Sequence, residues 1–103
     1  MDKILIFKAL SNETRNQILE WLKNPEQHFG VQHHLPTDTD FTNSICVGDI
    51  QEKAGLAQSV ISSYLNTMRN AGLLESRRIG QWTYYRRNEE TIREFTMYLQ
   101  NNL

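Results

Sequence analysis

The sequence is short of cysteine, proline and long apolar runs, and each shortage narrows what it encodes. With Cys46 as its single cysteine, the chain can form no internal disulfide, which fits a reducing compartment. Both prolines, Pro25 and Pro36, fall inside one stretch, residues 25–44. No apolar run approaches the ~20 residues of a membrane-spanning helix. The N-terminus has no apolar stretch followed by a cleavage signal, so the expected location is the cytoplasm. There is no phosphate-cradling glycine loop and no nucleophile paired with a base at an informative spacing. An enzyme is therefore not expected, and neither is a cofactor.

What is present is the material of one small domain. The 103 residues are 39% hydrophobic and 22% charged, which is too apolar for a disordered chain. A domain this small leaves much of its surface exposed, and self-association is a natural way to cover it. The formal net charge of −1 argues against a polyanion partner when taken alone. The distribution of charge argues otherwise. Residues 58–87 hold Arg69, Arg77, Arg78, Arg86 and Arg87 against Glu75 alone, a net of +4, while the flanking segments are acidic. A contiguous basic third is the footprint of a nucleic-acid-binding element.

Periodicity predicts the order helix, helix, loop, helix, helix, hairpin, helix. Ile4, Leu5, Phe7 and Leu10 mark a helix over 2–10. Ser11 or Asn12 can cap the next, which runs to about Lys23 and stops at Pro25. Residues 25–44 carry both prolines and all three histidines with little periodicity, and read as one long loop. Val47, Ile50 and Ala54 restore a helical stripe that Gly55 breaks. A second stripe, Ile61, Leu65 and Met68, runs to Gly72. Strands are expected at 73–79 and 82–87, joined by Gly80-Gln81, a pair suited to a tight turn with glycine first. Asn88 can cap a final helix over 89–102 with Ile92, Phe95 and Leu99 as its stripe.

Two short helices joined by a glycine turn over 47–71 form a helix-turn-helix. Its second helix would enter the major groove of DNA. Gln58, Ser59, Ser62 and Ser63 share one outer face near its N-terminus, with Tyr64 at the edge. Glutamine can pair with both N6 and N7 of adenine, and serine can donate to a base or a phosphate. The hairpin at 73–87 is then a wing. Arg77, Arg78 and Gln81 stand near its tip, and Arg86 and Arg87 on the returning strand. Adjacent strand residues point to opposite faces, so one of Arg77/Arg78 and one of Arg86/Arg87 are expected to reach phosphate or the minor groove.

These segments, IFKALSNETRNQILEWL at 6–22 and ICVGDIQEKAGLAQSVISSYLNTMRNAGLLESRRIGQWTYYRRN at 45–88, resemble the ArsR family of bacterial winged-helix repressors. The resemblance implies a mainly α fold with a β-hairpin wing, and a homodimer formed through the first and last helices. Ile4, Phe7, Ile92, Phe95 and Leu99 would supply that interface. It implies repression of genes through double-stranded operator DNA, relieved by an effector. Many metal-sensing members carry Cys-Val-Cys where this chain has Cys46-Val47-Gly48. Others use Asp and His on the last helix, which here has neither. The chain departs from both patterns, so no metal is expected and a small molecule or an oxidant becomes the candidate effector.

Three further groups have an ordinary reading and a sharper one. Cys46 is either a small buried hydrophobe or a redox sensor at a helix N-terminus. His28, His33, His34, Asp38 and Asp40 form a polar loop or a metal site, but their spacing matches no common zinc pattern. Trp21, Trp82, Tyr84, Tyr85 and Tyr98 are core and interface residues or the lining of an aromatic effector pocket. A protein-interaction module on the same scaffold is the alternative function, since fold alone does not fix function.

Overall fold

A computed structural model describes residues 1–103. The elements, in order, are α1 (Lys3–Leu10), α2 (Glu13–Lys23), α3 (Pro25–Phe29), β1 (Ile45–Cys46), α4 (Val47–Ala54), α5 (Gln58–Asn70), β2 (Leu74–Ile79), β3 (Trp82–Arg87) and α6 (Glu89–Asn102). Three helices start at side-chain caps. The Asp2 carboxylate accepts from the Leu5 amide at 3.2 Å, Asn12 from Arg15 at 2.9 Å and Asn88 from Thr91 at 3.3 Å. Each satisfies an amide that the first helical turn leaves free.

Two buried clusters organise the domain. The larger brings Ile18 and Leu22 of α2, Ile50 of α4, and Ile61, Leu65 and Met68 of α5 onto Ile45, Leu74 and Tyr85 of the sheet. The smaller joins Ile6 and Ala9 of α1 to Ala71, Leu73 and Phe95. Gly55 links α4 to α5 with φ of +68°, a left-handed turn that a side chain would strain.

The sheet is antiparallel in the order β1-β3-β2. Trp82 pairs with Ile79, so only Gly80 and Gln81 turn the hairpin, with φ of +64° at Gly80. Gln81 is not left-handed, so the positive φ falls at the first turn position alone, as type II′ requires.

The expected loop over 25–44 needs correcting at its start. Pro25–Phe29 is helical, with proline in the first turn, where its fixed φ suits a helix and its missing N–H costs nothing. The strand β1 was also not expected, because two residues are too few to show alternation. Residues 31–44 form a strap across the outer face of the sheet. Gln32 donates to Asp49 at 2.8 Å and accepts from the Cys46 amide at 2.9 Å. The His34 ring stacks on Trp82 with centroids 4.7 Å apart. Phe41 is buried. This strap explains why Tyr84 and Tyr85, which point to opposite faces, are both buried: Tyr85 faces the core and Tyr84 faces the strap side.

Candidate nucleic-acid interface

Helix α5 has a buried side and an open side. Ile61, Leu65 and Met68 are fully buried. Gln58, Ser59, Ser62 and Ser63 are all exposed in its first two turns. That first turn contains no acid, so nothing on the helix repels a phosphate from its positive N-terminal end. Tyr64 does not join this strip. Its hydroxyl accepts from Asn12 Nδ2 at 3.4 Å, and the Arg15 guanidinium lies 5.2 Å from its ring centroid. It ties α5 to the start of α2.

The wing arginines divide by strand register. Partners across the hairpin share a face, so Arg77, Tyr84, Arg86 and Glu75 lie on the outer, strap-covered face. Arg78 and Thr83 lie on the face shared with Ser76, to which Arg69 of α5 donates at 3.1 Å. Arg78 is exposed and makes no ion pair or hydrogen bond, and Gln81 is exposed at the tip. The other three wing arginines are engaged. Arg77 pairs with Asp40 of the strap. Arg87 Nε lies 2.9 Å from Glu89.

Arg86 corrects the expectation that it reaches DNA. Its Nε lies 3.4 Å from the Glu75 carboxylate, its nearest cross-strand neighbour. Its Nη1 donates to the carbonyls of Asp40 and Thr42 at 3.4 and 3.3 Å. Arg77 and Arg86 both lie against the Phe41 ring, at 4.6 and 4.2 Å from its centroid. The hydrogen bond and charge of Arg77 hold the Asp40 carboxyl below its ordinary value of 3.8. Sequence reasoning missed Glu75 as a partner, although the two-residue turn places 75 opposite 86. It also missed the Asp40 and Phe41 contacts, for which no local pattern exists.

The remaining candidates lie apart from α5. Cys46 is half-buried and precedes the first turn of α4. Its cross-strand partner is Tyr84, whose hydroxyl is buried with no hydrogen-bond partner. Burial, with smaller contributions from Cys46 and Asp49, raises the Tyr84 phenol above its ordinary 10.0. The five loop residues weighed as metal ligands are dispersed; no three His, Cys, Asp or Glu side chains converge. A cleft of about 660 Å³ between α2, α3 and the base of β3 has Leu22 as its sole hydrophobic lining residue, unlike the apolar pockets that hold small organic ligands. On α1 and α6, Ile4, Leu5, Phe7 and Met97 remain exposed. Phe95, expected at a dimer interface, is instead buried in its own domain against Phe7, centroids 5.3 Å apart. Ile92 and Leu99 are half-buried against the same cluster.

A helix-turn-helix followed by a two-stranded wing defines a winged helix-turn-helix domain. Comparisons agree. The family model described as "Bacterial regulatory protein, arsR family" matches residues 41–76. The chain is 42% identical over 103 residues, all of both chains, to the uncharacterized HTH-type transcriptional regulator YbzH of Bacillus subtilis. It is 44% identical over 86 residues to the arsenic resistance transcriptional regulator ArsR1 of Pseudomonas putida, covering 84% of this chain and 54% of that one. Among solved structures, the homodimeric winged helix-turn-helix DNA-binding domain of Mb0332 from Mycobacterium bovis aligns with a TM-score of 0.66 and 26% identity, over 94% of this chain and 74% of that one. The chain belongs to the ArsR family of bacterial transcriptional regulators.

Proposed function

We propose that the chain is a repressor that binds operator DNA as a homodimer, with α5 in the major groove and the wing beside it. The observation that carries this reading is the acid-free, exposed strip Gln58, Ser59, Ser62 and Ser63 next to the unpaired Arg78. The strip offers donors and acceptors to base edges, and Arg78 offers a cation to phosphate. The Mb0332 domain is homodimeric. Here α1 and α6 lie side by side, with Lys3 Nζ 4.6 Å from the Tyr98 ring centroid, and they expose Ile4, Phe7 and Met97 for a two-fold contact. Such a dimer sets two α5 helices about 34 Å apart, one turn of DNA. The protein would act in the cytoplasm, and nothing in its site calls for catalysis.

For the effector, one observation favours an oxidant. The partnerless Tyr84 hydroxyl, across the strands from Cys46, is a donor available to an oxygen added to that sulfur. Cys46→Ser should then keep DNA binding in peroxide, where the wild type loses it.

Selection of bound DNA from a random pool tests the main reading. An inverted repeat with half-site centres one helical turn apart is expected. Recovery of no enriched sequence would leave the fold serving a protein partner.

A further inference from the structure

The basic third of the sequence is internally neutralised in the folded chain. Glu75 holds Arg86, Glu89 holds Arg87, and the strap carries Asp40 to Arg77. Only the last of these acids is supplied by a distant, irregular segment: Asp40 is 37 residues from Arg77 in sequence. Its side chain is 85% exposed, so it serves no core. The strap around it is anchored independently, through Phe41, buried against the guanidinium groups of Arg77 and Arg86, and through the Arg86 bonds to its carbonyls. Arg77 lies on β2, the edge strand of the sheet, with 44% of its side chain exposed. A rotation of its long stem about that free edge carries the guanidinium from the strap to the side of Arg78.

We propose that Asp40 is an affinity-setting residue that competes with DNA phosphate for Arg77. An exposed carboxylate that accepts from a guanidinium offers the same charge and oxygen geometry as a phosphate diester. In free protein the wing presents one unpaired cation, Arg78. On DNA, a phosphate takes the place of Asp40 and Arg77 becomes the second. The exchange costs little, because an exposed ion pair is weak. Its effect is to hold down non-specific affinity, which depends on charge alone. By linkage, an agent that moves the strap away from the wing strengthens DNA binding, and one that locks it in place weakens binding. This inference rests on the DNA-binding reading and deepens it.

The test is a salt titration of DNA affinity for wild type, Asp40→Asn, Arg77→Ala and the double variant, on the selected repeat and on scrambled DNA. Asp40→Asn should bind both DNAs about two- to fivefold tighter, the range that loss of an exposed pair allows. The slope of log affinity against log salt should steepen by roughly 0.9 for each added phosphate contact per subunit. In the Arg77→Ala background, Asp40→Asn should change neither. Unchanged or weaker binding by Asp40→Asn, with sequence preference intact in the wild type, overturns the competition and leaves the DNA reading standing. No sequence preference in the wild type overturns both.

Discussion

Tyr84 shows how a single residue can be informative through what it lacks. Its ring fills the space beneath the strap, yet its hydroxyl is buried without a partner. A buried hydroxyl left unpaired costs about 1–3 kcal/mol. Tyr84→Phe keeps the ring and removes the cost, and chemical denaturation should show it more stable than the wild type by about 1 kcal/mol. The phenol's pKa is raised in the folded chain. Below the ordinary value of 10.0 both folded and unfolded forms are neutral. Above it the unfolded chain ionises first, so stability falls as pH rises past 10. That alkaline loss should be smaller in Tyr84→Phe. Equal alkaline loss in both proteins would show that other groups govern it.

The arginines show what can be read at this scale and what cannot. Arg77 and Arg78 are equivalent in sequence. They part only when the register against Tyr84 and Thr83 puts one under the strap and the other on the α5 side. Strand alternation established that they would differ. It could not say which faced the strap, since that depends on Asp40, far away along the chain.

At the scale of elements, the helix-turn-helix was fully legible, because its signals are local: the stripes Ile50/Ala54 and Ile61/Leu65/Met68 with Gly55 between them. Gly55→Ala forces a side chain into a left-handed turn with no atom within 4 Å of the new Cβ. The penalty is therefore conformational, about 1–2 kcal/mol, and a thermal melt should show it. A variant as stable as wild type would mean that the turn relaxes. The strap was not legible. Its stability comes from Phe41, His34 and Gln32 meeting residues 14 to 48 positions away, and no periodic pattern records such pairings. α3 was the intermediate case: Asn24-Pro25 followed by Gly30 is a start and stop pair for a short helix, hidden because proline also ends α2.

At the scale of the whole molecule, α1 and α6 show the limit of reading an apolar stripe. The stripe of α6 serves its own domain through Phe95, with Ile92 and Leu99 beside it. The surface left for a partner comes more from Ile4, 54% exposed, and Met97, 56% exposed. Ile4→Glu should therefore leave the fold intact and yield a monomer by light scattering at micromolar concentration, with loss of binding to a two-half-site operator. A dimer that survives the change would place the interface elsewhere.

Sequence-selective DNA binding through α5 and the wing is most directly tested by fluorescence anisotropy. The labelled DNA is the selected inverted repeat, against scrambled DNA, at two salt concentrations, for wild type, Gln58→Ala and Arg78→Ala. The wild type should prefer the repeat and weaken steeply with salt. Gln58→Ala should lose about 1–3 kcal/mol of base discrimination, and Arg78→Ala should weaken both DNAs alike with a shallower salt slope. Equal binding to both DNAs by all three proteins, at either salt, would contradict the account.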